Sequence, residues 1–147
     1  YEGTFKVKYV VEQEAEDCLI MKNILQPLVE NALAHGILGN KDENGEVLGG
    51  CICIAVSLKG ETLYVEVSDN GAGMSEERLL EVMEENTRWE RGANIGIRNI
   101  RERIRYVYHT DEHLQIHSRK GMGTTVSMCL PINVEEGKNG NIRVSEK

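Results

Sequence analysis

The stretch Thr62-Leu63-Tyr64-Val65-Glu66-Val67-Ser68-Asp69-Asn70-Gly71-Ala72-Gly73 decides how this chain is read. Its first residues alternate, so Leu63, Val65 and Val67 share one face of a strand. Asp69 is in phase with them and is directed into the apolar layer. A carboxylate there is costly unless hydrogen-bond donors meet it. The exocyclic amine of an adenine is one such donor. The glycines that follow let the backbone turn and a flat ligand come close. Asp-Asn-Gly also starts ordinary Asx-turns, and taken alone the motif fits the turn as well as the ligand.

Outward from this strand, residues 51–58 are apolar on both faces and predict a central strand. The short turn Lys59-Gly60-Glu61 makes it antiparallel to the next one. Upstream, residues 5–12 alternate, with Phe5, Val7, Tyr9 and Val11 on one face. Ile24, Leu25, Leu28, Val29, Ala32 and Leu33 recur at helical spacing, predicting a helix from about residues 23–27 to Gly36. Pro27 suits its first turn and Gly36 its C-terminal stop. Ser75 caps a helix running to about Asn86, with Glu76 and Glu77 favourable in the first turn. A second helix follows from residue 97 to about 108, burying Ile97, Ile100, Ile104, Tyr108 and the stem of Arg101. Residues 113–119 and 124–130 form two strands around Gly121-Met122-Gly123. The expected architecture is a two-layer α/β sandwich: a mixed, mostly antiparallel sheet of about five strands with about three helices on one face. Residues 1–131 read as one domain and 132–147 as a polar tail of low order.

The 147 residues carry a net charge of −7, which argues against nucleic acid as the main partner. No apolar run is long enough to span a membrane, so direct membrane contact is not expected. The first residue is Tyr1, and the chain reads as a piece of something longer, whose upstream part could hold an anchor. Cys18, Cys51, Cys53 and Cys129 form no CxxC pair and read as reduced, buried thiols. His35, His109, His113 and His117 show no metal-ligand spacing with them.

Two further segments are hard to explain by folding alone. In Gln26-Pro27-Leu28-Val29-Glu30-Asn31-Ala32-Leu33-Ala34-His35-Gly36, Asn31 and His35 lie one turn apart on the same helical face. An amide oxygen there suits Mg²⁺, which keeps waters and takes few protein ligands; a solvated polar face is the alternative. Gly92-Ala93-Asn94-Ile95-Gly96 runs straight into a helix, where exposed amides and the helix dipole favour an anion. A flexible connector has the same appearance. Gly123-Thr124-Thr125 closes the series, or is only a hairpin turn.

In order and spacing, these motifs resemble the nucleotide-binding boxes of the sensor histidine kinase ATPase domain, related to gyrase-, Hsp90- and MutL-type ATPases. Gln-Pro-Leu-Val-Glu-Asn-Ala-x-x-His-Gly, with the later Gly-Ile-Arg-Asn-Ile-Arg-Glu-Arg-Ile, is similar to the YesM/LytS-like branch of bacterial two-component kinases. The resemblance covers about residues 5–131 and implies the Bergerat-type ATP-binding fold. It implies that Asn31 coordinates the Mg²⁺ on the ATP phosphates and that Asp69 accepts from the adenine amine. Gly71, Gly73 and Met74 would shape the purine slot, and residues 87–94 would be a lid. Gly92, Ile95 and Gly96 would hold its phosphate-binding end. Gly123 with Thr124 or Thr125 would lie near the base, and His35 and Arg98 near the phosphates.

Two positions depart from the family pattern. Asn94 stands where a further lid glycine is usual, and Ala34 where Lys is often found. Relatives that hydrolyse ATP carry a Glu one turn before the metal-binding Asn, where it activates water. That position is Pro27 here, and the adjacent Glu30 points about 100° away around the helix, leaving it at most a helping catalytic role. The resemblance therefore implies transfer of the γ-phosphoryl group to a histidine outside this chain. That histidine would lie on upstream dimerisation helices, and the phosphate would pass on to a response regulator receiver domain. The setting would be a cytoplasmic domain of a membrane-anchored sensor. A hydrolysing ATPase of the same fold and a non-catalytic nucleotide-binding docking module are the alternatives.

Overall fold

The computed structural model describes residues 5–84, 95–109 and 113–132. The strands are β1 (Phe5–Val11), β2 (Gly50–Lys59), β3 (Thr62–Asp69), β4 (Leu114–Arg119) and β5 (Gly123–Pro131). The helices are α1 (Leu25–Asn31), α2 (Glu76–Met83) and α3 (Ile95–Tyr108). The strands form a single sheet in the order β1-β2-β3-β5-β4, with β1 parallel to β2 and every other pairing antiparallel. This is the mixed, mostly antiparallel five-stranded sheet that the alternation predicts. The lid segment (87–94) and the tail from residue 133 onward fall outside the described residues.

The register explains the core. Val67 pairs with Ile54 and Val126, and Ile116 pairs with Val126, so one face carries an unbroken apolar surface. The helices cover that face with Leu28, Ala32, Val82, Ile97, Ile100 and Ile104. Each large side chain so buried, such as Met128 and Ile104 at 0% exposure, contributes roughly 2 kcal/mol. The opposite face carries Tyr64, Glu66, Ser127, Gln115 and His117. Cys51 and Cys53 lie there too, half-buried, and all four cysteines are free thiols. The sequence predicts burial for all four; the structure leaves each of them only partly buried.

Two helix ends and the burial of one strand differ from the sequence expectation. The first helix neither stops at Gly36 nor stays α-helical: residues Ala32–Ile37 form a π-helical turn, with Gly36 buried inside it. Such widened turns occur frequently at functional sites. The second helix stops at Met83 rather than near Asn86, because Glu84 is already extended (φ −76°, ψ 129°). Its start is as expected, with Ser75 Oγ accepting from the Arg78 N–H at 3.3 Å. Strand β1 forms, but the Phe5-Val7-Tyr9-Val11 face is poorly covered, with Tyr9 69% exposed. It is an edge strand, packed against the core through Phe5.

The two glycines of the β4–β5 hairpin separate conformation from space. Gly121 (φ +77°) faces open space, whereas a Cβ on Gly123 (φ +99°) would overlap the backbone carbonyl of Asp69. Gly121→Ala should therefore cost about 1 kcal/mol, the left-handed penalty alone. Gly123→Ala should cost roughly 3 kcal/mol or more, because the backbone must also move. Thermal or urea unfolding of the two variants measures the difference.

Candidate functional site

Asp69 is the last residue of β3, opposite Ile52 on one side and Thr124 on the other. As the strand phase predicts, it lies on the face of Leu63, Val65 and Val67, which are at most 2% exposed. Its Oδ1 accepts from the Gly71 N–H at 2.9 Å. The Asx-turn and the ligand-facing acid therefore coexist: one oxygen holds the turn and the carboxylate still lines a cavity. Three glycines enclose it. A Cβ on Gly36 would stand 2.5 Å from Asp69 Oδ1, one on Gly71 would overlap the Gly36 carbonyl, and Gly123 is pressed on the Asp69 backbone.

The loop after Asp69 is stitched to both neighbours. Ala72 N–H donates to the Gly36 carbonyl at 2.9 Å and Gly121 N–H to the Ala72 carbonyl at 2.6 Å. Asn70 Oδ1 accepts from the Cys51 N–H at 2.7 Å, extending the β2–β3 ladder by one link. Ser118 Oγ accepts from the Met74 N–H at 2.8 Å and lies 2.8 Å from Thr124 Oγ1. Ser118 thus ties the loop to the residue opposite Asp69. Because its hydroxyl is one side chain among many on β4, nothing local in the sequence marks it.

The cavity of about 250 Å³ is lined on one side by Asp69, Gly73, Met74, Val67, Thr124 and Val126. Across from them stand Leu28, Asn31, Ala32, His35 and Gly36, with Arg78, Val82 and Ile97 closing a third wall. The structure thus brings together Asn31, His35, Asp69, Gly73, Met74 and Thr124. Gly71 and Gly123 sit behind Asp69, and Gly96 abuts Asn31, its hypothetical Cβ 3.0 Å from Asn31 Nδ2. Three expected residues are placed elsewhere. Glu30 is exposed and accepts from Gln26 Nε2 at 2.8 Å, as its offset around the helix requires. The Arg98 side chain, 72% exposed, pairs with Glu102 at 3.0 Å one turn along. Thr125 pairs with Ser68 and His117 on the opposite face of the sheet, so Thr124 is the cavity-side threonine. Gly92 and the Ile95 side chain fall outside the described residues. Gly36 and Arg78 line the cavity without having been singled out as site residues; Gly36 reads in sequence as a helix stop.

Asn31 Nδ2 is buried with no hydrogen-bond partner among the described residues. An orphaned buried donor costs about 1–3 kcal/mol, which a ligand oxygen would recover. The same side chain offers a neutral oxygen, and a single protein oxygen beside phosphates and waters suits Mg²⁺. The donor set therefore fits a phosphate-bound divalent cation, with Asn31 as its protein ligand.

Residues 16–134 match the family of histidine kinase-, DNA gyrase B- and HSP90-like ATPases. The chain is 28% identical over 145 residues to the sensor protein LytS of Staphylococcus epidermidis, covering 99% of this chain and 23% of that protein. It is 31% identical to LytS of Bacillus cereus, covering 92% of this chain and 22% of that one. To the sensor protein kinase HptS of Staphylococcus aureus it is 30% identical, covering 98% and 26%. The catalytic domain of histidine kinase ThkA superposes with a TM-score of 0.62 at 19% identity, covering 88% of this chain and 81% of that one. The histidine kinase domain of the blue-light activated kinase of Erythrobacter litoralis gives 0.58 at 20% identity, over 89% and 53%. Fold and cavity define an ATP-binding catalytic domain. The chain belongs to the histidine kinase-, gyrase B- and HSP90-like ATPase family. It spans about a quarter of the length of the sensor proteins it matches.

Burial raises the Asp69 pKa above 3.8, outweighing the Gly71 and Thr124 backbone N–H groups that favour the charged form. The folded protein then holds this proton to higher pH than the unfolded chain does. The contribution of Asp69 to stability is most favourable below pH 3.8 and declines as pH rises through the folded value. At neutral pH the charged carboxylate is a net cost to the nucleotide-free protein. Asp69→Asn should therefore raise the apo melting temperature at pH 7, and the gain should shrink as pH is lowered toward the Asp69 pKa. Thermal melts across that range check both the sign and the pH dependence.

Proposed function

We propose that this domain binds Mg²⁺-ATP and donates the γ-phosphoryl group to a histidine outside the chain, as the catalytic half of a two-component sensor kinase. The observation that carries this reading is the single cavity on which a carboxylate ending a buried strand faces a helix amide with an orphaned donor. Asp69 accepts from the adenine amine, while Gly36, Gly73 and Met74 leave a flat slot beside it. Thr124, held by Ser118, offers a hydroxyl next to the base. Asn31 would hold Mg²⁺, which would neutralise phosphate charge. His35 lies on the same wall, one turn further along. Gly96 and the start of α3 would form the phosphate end, with Arg98 at its solvent rim. Glu30 serves the outer face of α1.

Transfer requires the imidazole nitrogen of the acceptor to attack the γ-phosphorus while the bond to the bridging oxygen of ADP breaks. Among the described cavity residues Asp69 is the sole carboxylate, and it lies at the adenine end. Pro27 occupies the place where a water-activating acid would stand, and a ring carbon abstracts no proton. This favours an incoming protein nucleophile over water. The acceptor would come from dimerisation helices upstream in the same protein, and a response regulator receiver domain would take the phosphate onward. No described helix is long and apolar enough to cross a membrane. Cytoplasmic placement beneath a membrane-anchored sensor is consistent with that.

Titration with a non-hydrolysable ATP analogue, with and without Mg²⁺, tests the site. Losing a hydrogen bond to a charged group costs about 1.5–3 kcal/mol, so Asp69→Asn should weaken binding about 10- to 100-fold. Asn31→Ala should bind in Mg²⁺ no better than wild type binds without it. With labelled ATP and a supplied phosphoacceptor helix pair, acid-labile label should appear on histidine with little phosphate release. Wild-type affinity in both variants would overturn the assignment.

A further inference from the structure

We infer that Arg103 is a positioning residue for the triphosphate: from α3 it locks the turn that aims α1, and so sets the spacing between Asn31 and the start of α3. This rests on the reading of Asn31 as the Mg²⁺ ligand.

Helix α1 begins without help from its own sequence. Its N-cap is Ile24, whose side chain makes no capping bond. The residue before it, Asn23, has φ +60°, one of two non-glycine residues with positive φ among those described. Asn tolerates that conformation better than most residues, yet it still needs neighbours to hold it. The carbonyls of Lys22 and Asn23 precede the helix and have no place in its ladder. Arg103 supplies the donors, with Nη2 to the Lys22 carbonyl at 2.5 Å and Nη1 to the Asn23 carbonyl at 3.4 Å. One planar fork thus joins two successive carbonyls of a strained turn.

Two turns earlier on α3, Gly96 meets the other end of α1. A Cβ there would lie 3.0 Å from Asn31 Nδ2 and 3.4 Å from Pro27 Cβ. Between the two attachments Ile100 (1% exposed) and Leu28 (2%) are packed in the core. With the Gly96 contact alone, α3 could pivot about its N-terminus. With Arg103 as a second attachment, its slide and rotation against α1 are fixed. Helix α3 starts where the phosphate-binding segment ends, and α1 carries the metal ligand. The clamp therefore governs a distance in the triphosphate site and none in the adenine slot, whose walls come from β3, β5 and the π turn.

The test separates those two ends. AMP reports the adenine slot, and the gain in affinity for a non-hydrolysable ATP analogue on adding Mg²⁺ reports the phosphate end. A displacement of about 1 Å at a reacting site can cost 10²-fold, so Arg103→Ala should cut the Mg²⁺-dependent gain by about tenfold or more. AMP affinity should stay within about twofold of wild type, because the slot is untouched. Arg103→Lys keeps the charge but cannot span both carbonyls, and should show the same split. If Arg103→Ala does not fold, Arg103→Lys and Arg103→Gln decide the matter. A purely structural role would lower AMP affinity, the Mg²⁺ gain and the melting temperature together. That outcome, or an unchanged Mg²⁺ gain, overturns the inference. Asn31→Ala distinguishes the failures: if it abolishes the gain while the Arg103 variants keep it, only the role of Arg103 is wrong. If it too leaves the gain intact, the metal reading fails first.

Discussion

A carboxylate at the end of a buried strand is the constraint around which the rest of this domain is arranged. Asp69 inherits its direction from the pleat of β3, and the pleat is fixed by the burial of Leu63, Val65 and Val67. A one-residue slip would expose all three, so the acid cannot be turned outward without losing the core. What surrounds it must then be small or able to donate. Glycine supplies the first at positions 36, 71 and 123, and backbone N–H groups supply the second. The desolvation that remains raises the Asp69 pKa.

The two ends of the cavity are built on different principles. At the Asp69 end the wall is Val67, Gly73, Met74, Thr124 and Val126, with Ser118 and Asn70 pinning the loop to neighbouring strands. At the opposite end the elements are helices meeting through Asn31, Gly96, Pro27 and Arg103. Helices packed through side chains slide more readily than paired strands.

Much of this was legible in the sequence, and the exceptions have physical causes. The direction of Asp69 followed from period-two alternation, and the exposure of Glu30 from its angle around the helix. Thr124 and Thr125 could have been separated too: Thr124 is in phase with Val126, Met128 and Leu130, so strand parity places it inward. The Arg98–Glu102 spacing likewise announced an exposed helical pair. The π turn was not legible, because apolar side chains recur much alike whether the backbone bonds run four residues back or five. Ser118 and Arg103 were hidden for another reason. Each acts on a segment distant in sequence, and its role exists only once the sheet order and the α1–α3 packing are set.

The π turn also bears on the choice between kinase and hydrolase. Within the widened turn after Asn31, Gly36 stands against Asp69. The helix is thereby fixed in rotation, and with it the side of α1 on which each residue falls. Asn31 faces the cavity, Pro27 faces Gly96, and Glu30 is held outward against Gln26. For Glu30 to reach a water beside the γ-phosphate, α1 would have to rotate by about 100°. Such a rotation would carry Asn31 out of the cavity and pull Gly36 from Asp69. In this packing Glu30 and Asn31 cannot face the cavity together. The same geometry that turns Asn31 toward the cavity holds the nearest acid on α1 away from it.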